Sequence, residues 1–127
     1  MSTKPKPRKS RKTTDSQVNK HVEVKINVVP YMALDIQISL NIVTEVVEET
    51  FTKEITLRYR VENGSAIFVD ENENVVATVP LTEFANYVEE FVKKAVEELE
   101  RETSVYITLF QQFDVLKEKG FEVVVVE

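Results

Sequence analysis

Hydrophobic and polar residues alternate strictly along Leu34–Ile42, and the other predicted elements are organised around this stretch. Branched apolar residues take every second position, and small or polar residues occupy the positions between them. A period of two predicts a strand with one buried and one solvated face, because the same spacing on a helix would surround it with apolar residues. We therefore predict a central strand that begins at residue 34 and extends to about residue 47.

The same alternation predicts a strand on each side of the central one. Residues 21–29 alternate Val and Ile with polar residues and end before Pro30, which lacks a backbone donor for a ladder. Residues 51–61 follow an acidic turn and supply the second neighbour. The three segments together predict an antiparallel sheet.

The register of the central strand against residues 51–61 follows from placing their apolar side chains on one face. It predicts the pairs Ile42–Ile55 and Leu40–Leu57. The opposite face then carries mainly amides, hydroxyls and cations, with little negative charge: Gln37, Ser39, Asn41, Thr56, Arg58 and Arg60. Such side chains contact phosphates, sugars and base edges, so this face is a candidate nucleic-acid surface. A solvated outer face without a ligand is the competing interpretation.

A tight hairpin joins the next two strands. Asn63-Gly64 suits a type I′ turn, which places Tyr59 opposite Phe68 and predicts a strand over 66–69. A polar turn then leads to a strand over 75–79. The sheet therefore gains two further strands.

Helical spacing replaces alternation after these strands. An apolar stripe predicts a helix over 83–102, with Thr82 as its N-cap. Thr103-Ser104 interrupts the stripe, which resumes over 105–119 with Gly120 as the C-terminal cap. We predict two helices, although the start of the second segment also has strand propensity.

The elements together predict an α+β fold over residues 21–127, with an antiparallel sheet of five to six strands and two helices packed on one face. Residues 121–126 supply the sixth strand, which is apolar on both faces and is therefore expected to be covered or paired in a dimer. Residues 1–20 contain two Pro and few apolar residues, so we predict a disordered basic N-terminal arm.

Charge divides the chain between arm and body. Residues 1–20 carry seven Lys or Arg against one Asp, whereas the remainder carries nine against twenty-one Asp or Glu. A cation that neutralises a phosphate releases a counterion, so a basic arm favours binding to nucleic acid. We assign this role to Lys4, Lys6, Arg8, Lys9, Arg11 and Lys12. A solubilising or targeting tail, or an arm docked on its own acidic body, is the alternative.

Catalytic and metal-binding motifs fail on residue type or spacing. The chain has no Cys and one His, His21, so neither a thiolate or imidazole metal site nor a His-dependent nucleophile can be assembled. The turn that starts at Asp70 resembles a calcium loop, but its sixth position is Val75 rather than Gly and its twelfth is Leu81 rather than Glu. We therefore expect no enzymatic activity, no cofactor and no metal; metal chemistry on carboxylates alone is the alternative that these motifs leave open.

The leading functional prediction is a small nucleic-acid-binding homodimer. The arm and four sheet residues, Gln37, Asn41, Arg58 and Arg60, would make the contacts, and a single strand is favoured because the helix over 83–102 is acidic. The alternative is a dimeric protein-interaction or assembly module with an acidic body and a basic tether. The sequence has no apolar run of membrane-spanning length and no secretory signal, so we expect an intracellular protein of the cytoplasm, nucleoid or nucleus.

Overall fold

The computed structural model describes residues 18–126, and in this part of the chain it contains one antiparallel sheet and one long helix. Each strand pairs with the next in the chain, so the sheet is a meander. The elements are β1 (Asn19–Val29), β2 (Ala33–Val43), β3 (Glu48–Glu62), β4 (Ser65–Val69), β5 (Val75–Pro80), a 3₁₀ turn (Leu81–Glu83) and α1 (Phe84–Glu118). The predicted α+β class is confirmed.

Strand β2 forms the centre of the core, as its alternation predicts. The five apolar side chains on its inner face are at most 5% exposed, whereas Asp35 and Gln37 between them are exposed. Helix α1 packs over β2, β3 and β5 and adds Val88, Leu99 and Phe110 to the core. The face of the sheet that points away from α1 is called the outer face below.

An aromatic cluster closes the core where β3 and β4 meet the start of α1. The ring of Phe68 is 1% exposed, and its centroid lies 4.4 Å from that of Tyr87, 5.6 Å from Phe84 and 5.9 Å from Tyr59. Tyr59 is the cross-strand partner of Phe68. Residues 63 and 64 both have positive φ, 50° and 76°, as a type I′ turn requires. The predicted hairpin and its pairing are confirmed.

The predicted register between β2 and β3 is wrong. Ile55 and Leu57 lie opposite Ile36 and Leu34, not opposite Ile42 and Leu40, which is a displacement of six residues along β2. The chain turns back about three residues earlier than predicted: β2 ends at Val43 rather than near residue 47, and the predicted acidic turn over 48–50 belongs to β3. The observed turn over 44–47 is closed by a 2.8 Å hydrogen bond from its first amide to its last carbonyl. An even displacement leaves the apolar side chains on the same face, so the core forms while the neighbours on the outer face change.

The two predicted helices are one helix of 35 residues. Thr103 and Ser104 lie within it: Thr103 is buried, its hydroxyl donates to the Leu99 carbonyl over 2.9 Å, and the Ser104 hydroxyl donates to the Arg101 carbonyl over the same distance, so neither hydroxyl lacks a partner. The predicted Thr82 N-cap is also wrong: residues 81–83 form the 3₁₀ turn, and no side chain caps α1. The alternative strand at the start of 105–119 is excluded by the same continuous helix.

The predicted sixth strand over 121–126 is also absent from the described residues. Gly120 has a φ of 96° and ends α1 as predicted, with the Phe121 amide donating to the Leu116 carbonyl over 3.2 Å. Residues 121–126 then run without regular secondary structure and are largely exposed, up to 87% at Val126. Residues 121–126 have high strand propensity, but they pair with neither edge of the described sheet and therefore form no strand.

A buried carboxylate ties the end of α1 to the turn between β2 and β3. Asp114 has no exposed surface, and its two carboxylate oxygens accept hydrogen bonds from the backbone amides of Val46 (3.1 Å) and Glu45 (3.4 Å). Peptide amides buried without a partner are costly, so this carboxylate satisfies the turn. It thereby positions the C-terminal part of the helix on the sheet.

Candidate interaction surfaces

The six arm cations assigned to nucleic-acid binding lie within residues 1–17, outside the described residues. The described chain starts at Val18, which packs against the core, and β1 begins at Asn19. The arm therefore joins the body at the first residue of an edge strand.

The structure separates the four sheet residues assigned to nucleic acid. Gln37 lies opposite Glu54, and the Asn41 amide donates to the Thr50 hydroxyl over 2.8 Å. Arg58 is opposite Ala33 at the far end of the β2–β3 pair. The six-residue change of register is the reason, and the two amides do not meet the two guanidinium groups.

Both arginines on the outer face have carboxylate partners. The Arg58 guanidinium lies 2.7 Å from a Glu73 carboxylate oxygen, and Arg60 lies 3.3 Å from Glu62. All four side chains are substantially exposed, so each pair contributes little to stability and can exchange partners. A phosphate that approaches either arginine therefore meets a carboxylate that competes for the guanidinium.

The outer face also carries more negative charge than the sequence predicts. The Asp35 carboxylate accepts a 2.9 Å hydrogen bond from Thr56, and Glu54 stands opposite Gln37. Glu23 adds a third carboxylate from β1. The expectation of a face low in negative charge is wrong, because it left out Asp35 and Glu54, which share this face in either register, and all of β1.

The inner face is only partly covered by the helix. Neighbouring strands lie about 4.8 Å apart, so five strands span roughly 19 Å between the outermost axes. A helix with its side chains is about 10 Å wide and covers two to three strands. Helix α1 packs over β2, β3 and β5, and the second predicted helix is absent from the described chain, so most of β1 is left uncovered. On this strand, Val22 is the residue that packs against the core.

An apolar row on the inner face of β1, which we call the β1 stripe, runs from the core into the uncovered part: Val22 is partly buried against the core, and Val24, Ile26 and Val28 are exposed. These side chains lie beside the fully buried residues of β2, with Val24 opposite Ile38 and Ile26 opposite Ile36. Val24 is nevertheless 39% exposed, Ile26 41% and Val28 58%. The stripe therefore continues the core to the edge of the sheet and into solvent.

Sequence reasoning identified these residues as a strand but missed their exposure. Alternation shows which side chains share a face, and it does not show whether a second layer covers that face. The available signal is the helix count, because one helix is too narrow for a five-stranded sheet. Because the sequence analysis predicted two helices, it predicted that the whole inner face is covered, and the exposure of β1 was missed.

A second exposed apolar patch lies on α1. Val105, Leu109 and Leu116 follow helical spacing, so they share one side, and each is at least 42% exposed. Tyr106 lies next to this patch and stacks on Phe51, with ring centroids 5.6 Å apart. The patch belongs to the half of the helix over the start of β3.

An ion-pair cluster lies between β3 and α1. The Lys53 ammonium is 2.6 Å from a Glu98 carboxylate oxygen and 3.6 Å from Glu102. The hydrogen bond to Glu98 raises the pKa of Lys53 and lowers that of Glu98. This lysine, although it points to the inner face, is already paired with two carboxylates.

The turn that starts at Asp70 is held by its own side chain. The Asp70 carboxylate accepts hydrogen bonds from the backbone amides of Asn74 and Asn72, both at 2.9 Å, and these bonds lower its pKa. The carboxylate thus caps the turn in the way that Asp commonly does. These two hydrogen bonds account for the conformation of the turn.

No helix in the described part of the chain combines the length and apolar character needed to cross a membrane. Comparisons with protein families, with curated proteins and with solved structures found no match. The surfaces are therefore interpreted from their own geometry.

Proposed function

We propose that this protein is a non-enzymatic assembly module that self-associates through the β1 stripe. The observation that carries the proposal is the exposure of Val24, Ile26 and Val28 directly beside the most buried residues of the sheet. Contiguous apolar surface of this kind usually marks an interaction site, whereas scattered apolar residues do not.

The backbone of β1 supports the same proposal. β1 has 11 residues and pairs with β2 alone among the described strands. Long edge strands with apolar side chains are templates for pairing with another chain, and monomeric proteins normally shorten or cover them. Here apolar side chains and unpaired backbone groups occur on one strand, so one contact would satisfy both.

The proposal is tested by making the stripe polar without weakening the strand. The double substitution V24T/I26T keeps β-branched side chains and is expected to raise the dimer dissociation constant by about 30-fold, because the lost apolar contacts are repeated in both chains. Sedimentation equilibrium measures this constant.

The matched control is H21T/N27T, which changes two exposed residues on the opposite face of the same strand. It should leave the dissociation constant within about threefold of the original value. Equal weakening by both variants would show that strand β1 matters only through its stability, and the stripe would lose its assigned role.

Nucleic-acid binding is a second candidate, favoured by the density of cations in the arm. The proposed contacts are the six Lys and Arg residues between 4 and 12. Arg58 and Arg60 would add contacts where a phosphate competes with Glu73 or Glu62 for them, and Gln37 and Asn41 would add hydrogen bonds at separate positions on the same face. In the assembly, the arm would act as a tether for a polyanion.

We expect a labelled single strand to lose about 100-fold in affinity between about 50 and 150 mM salt, because roughly six phosphate contacts release counterions. Replacement of the six arm cations by Gln in the full chain should abolish this binding, whereas R58Q/R60Q should change it little. Fluorescence anisotropy measures both. Binding that survives the arm substitution would remove the arm from the interaction.

A further inference from the structure

We infer that two copies of the chain join β1 to β1 in antiparallel orientation, with a two-fold axis at Val24. The inference rests on the proposed self-association and specifies its geometry. The joined sheets would form one continuous ten-stranded sheet, with both helices on the same side. The inference is based on the order of charged residues along β1. When two copies of this strand pair in antiparallel orientation, opposite charges face each other in one register only.

A two-fold axis perpendicular to the sheet keeps the inner faces of both copies on the same side. Residues that face each other then have numbers with a constant even sum, because side chains alternate along each strand. With the axis at Val24, this residue meets its own copy and Val22 meets Ile26 of the second copy. The stripes of the two chains therefore merge into one apolar surface.

The same register pairs opposite charges on the outer face. Glu23 of each copy lies opposite Lys25 of the other, so the contact contains two identical ion pairs. On the inner face, at each end of the paired strands, Lys20 of one copy lies opposite Val28 of the other. The aliphatic stem of the lysine can cover the exposed methyl groups of the valine. No like charges face each other along the paired strands.

The neighbouring registers lose these contacts. An axis at Lys25 sets this lysine against its own copy, and an axis at Glu23 does the same for the carboxylate; like charges directly opposite each other are unfavourable. An axis at Ile26 puts Glu23 opposite Val29, so both ion pairs disappear. Val24 is the centre that combines apolar contact with charge pairing.

The assembly closes at two copies. A two-fold pairing uses the β1 edge of both chains, and the other edge, β5, has six residues and ends at Pro80. Helix α1 lies over β2, β3 and β5, so it does not obstruct the β1 edge. The complementary charges select a second copy over an unrelated apolar partner.

The chain has no Cys, so single cysteines report the register without background. V24C places two sulfurs on directly opposite residues, whose Cα atoms lie about 4.5–5.5 Å apart, within the range of a disulfide. V28C is the matched control: its two Cα atoms are eight residues apart along the strands, roughly 26 Å. Mild oxidation of the full chain should give a covalent dimer with V24C and none with V28C.

Charge reversal provides a test that does not depend on disulfide geometry. E23K should weaken the dimer about tenfold, because each reversed side chain meets a lysine of the second copy. E23K/K25E exchanges the two charges and should restore the original dissociation constant. Failure of the double variant to recover would contradict the proposed pairs.

The outcomes separate the register from the proposed function. A chain that sediments as a dimer but forms no V24C disulfide overturns the register and leaves self-association standing. Equal cross-linking of V24C and V28C also overturns it, because random encounters would suffice. A chain that stays monomeric, for example with its own residues 1–17 on the β1 edge, overturns both.

Discussion

Replacement of Phe68 by Ala is expected to lower the free energy of unfolding by about 4 kcal/mol. The side chain is 1% exposed and lies among three aromatic rings, the closest with its centroid 4.4 Å away. Truncation removes the transfer free energy of the ring and leaves a cavity that the rigid neighbours fill poorly. Denaturant unfolding followed by circular dichroism measures the change.

Phe121→Ala is the matched control, because this ring is 60% exposed beyond the end of the helix. It should change the free energy of unfolding by less than about 0.5 kcal/mol. Similar losses for the two substitutions would mean that the aromatic cluster is not the centre of the core at this end of the sheet.

The second large effect is expected at Asp114. Its replacement by Ala should cost about 3 kcal/mol, because the amides of Glu45 and Val46 lose their hydrogen-bond acceptor while the turn keeps them in place. Asp114→Asn retains one acceptor oxygen and should give an intermediate loss. Glu118→Ala, at an exposed position of the same helix, should be nearly neutral.

These measurements distinguish the turn contact from a general effect of charge. If the Ala and Asn variants were as stable as the original protein, the buried carboxylate would not be what holds the turn to the helix. Both variants should also loosen the contact between α1 and residues 44–47. Faster hydrogen exchange of the amides at 45 and 46 would report that change.

The strands were predictable because their signal is local. Alternation in β1 and β2, and the Asn63-Gly64 turn, determine element type and hairpin pairing without reference to distant residues. The register of β2 against β3 was not predictable in the same way. Several even displacements bury the same apolar face, and the position of the turn along the chain decides among them.

The hydrophobic pattern did not predict that α1 is continuous through Thr103 and Ser104, for a different reason. Thr103 and Ser104 are weak helix formers, yet both hydroxyls bond to carbonyls of the preceding turn, and Thr103 is buried against the sheet. Tertiary packing thus outweighs local propensity. The error had consequences for function, because a second helix would have covered the β1 stripe.

The candidate site was predictable only in part. The cations of the arm are evident from composition, whereas the partners of Arg58 and Arg60 depend on turns that place Glu73 and Glu62 nearby. Whether the β1 stripe is exposed depends on the number and position of the helices that cover the sheet. Apolar alternation alone does not distinguish a buried face from an exposed one.

Two copies of the chain are expected to meet through the exposed part of the β1 stripe. Sedimentation equilibrium of the unmodified protein decides this, since the mass of one chain is 14.6 kDa. We expect twice that mass at micromolar concentration, with dissociation on dilution and in V24T/I26T. If the mass of a single chain were found at every concentration, the stripe would not be a contact between copies.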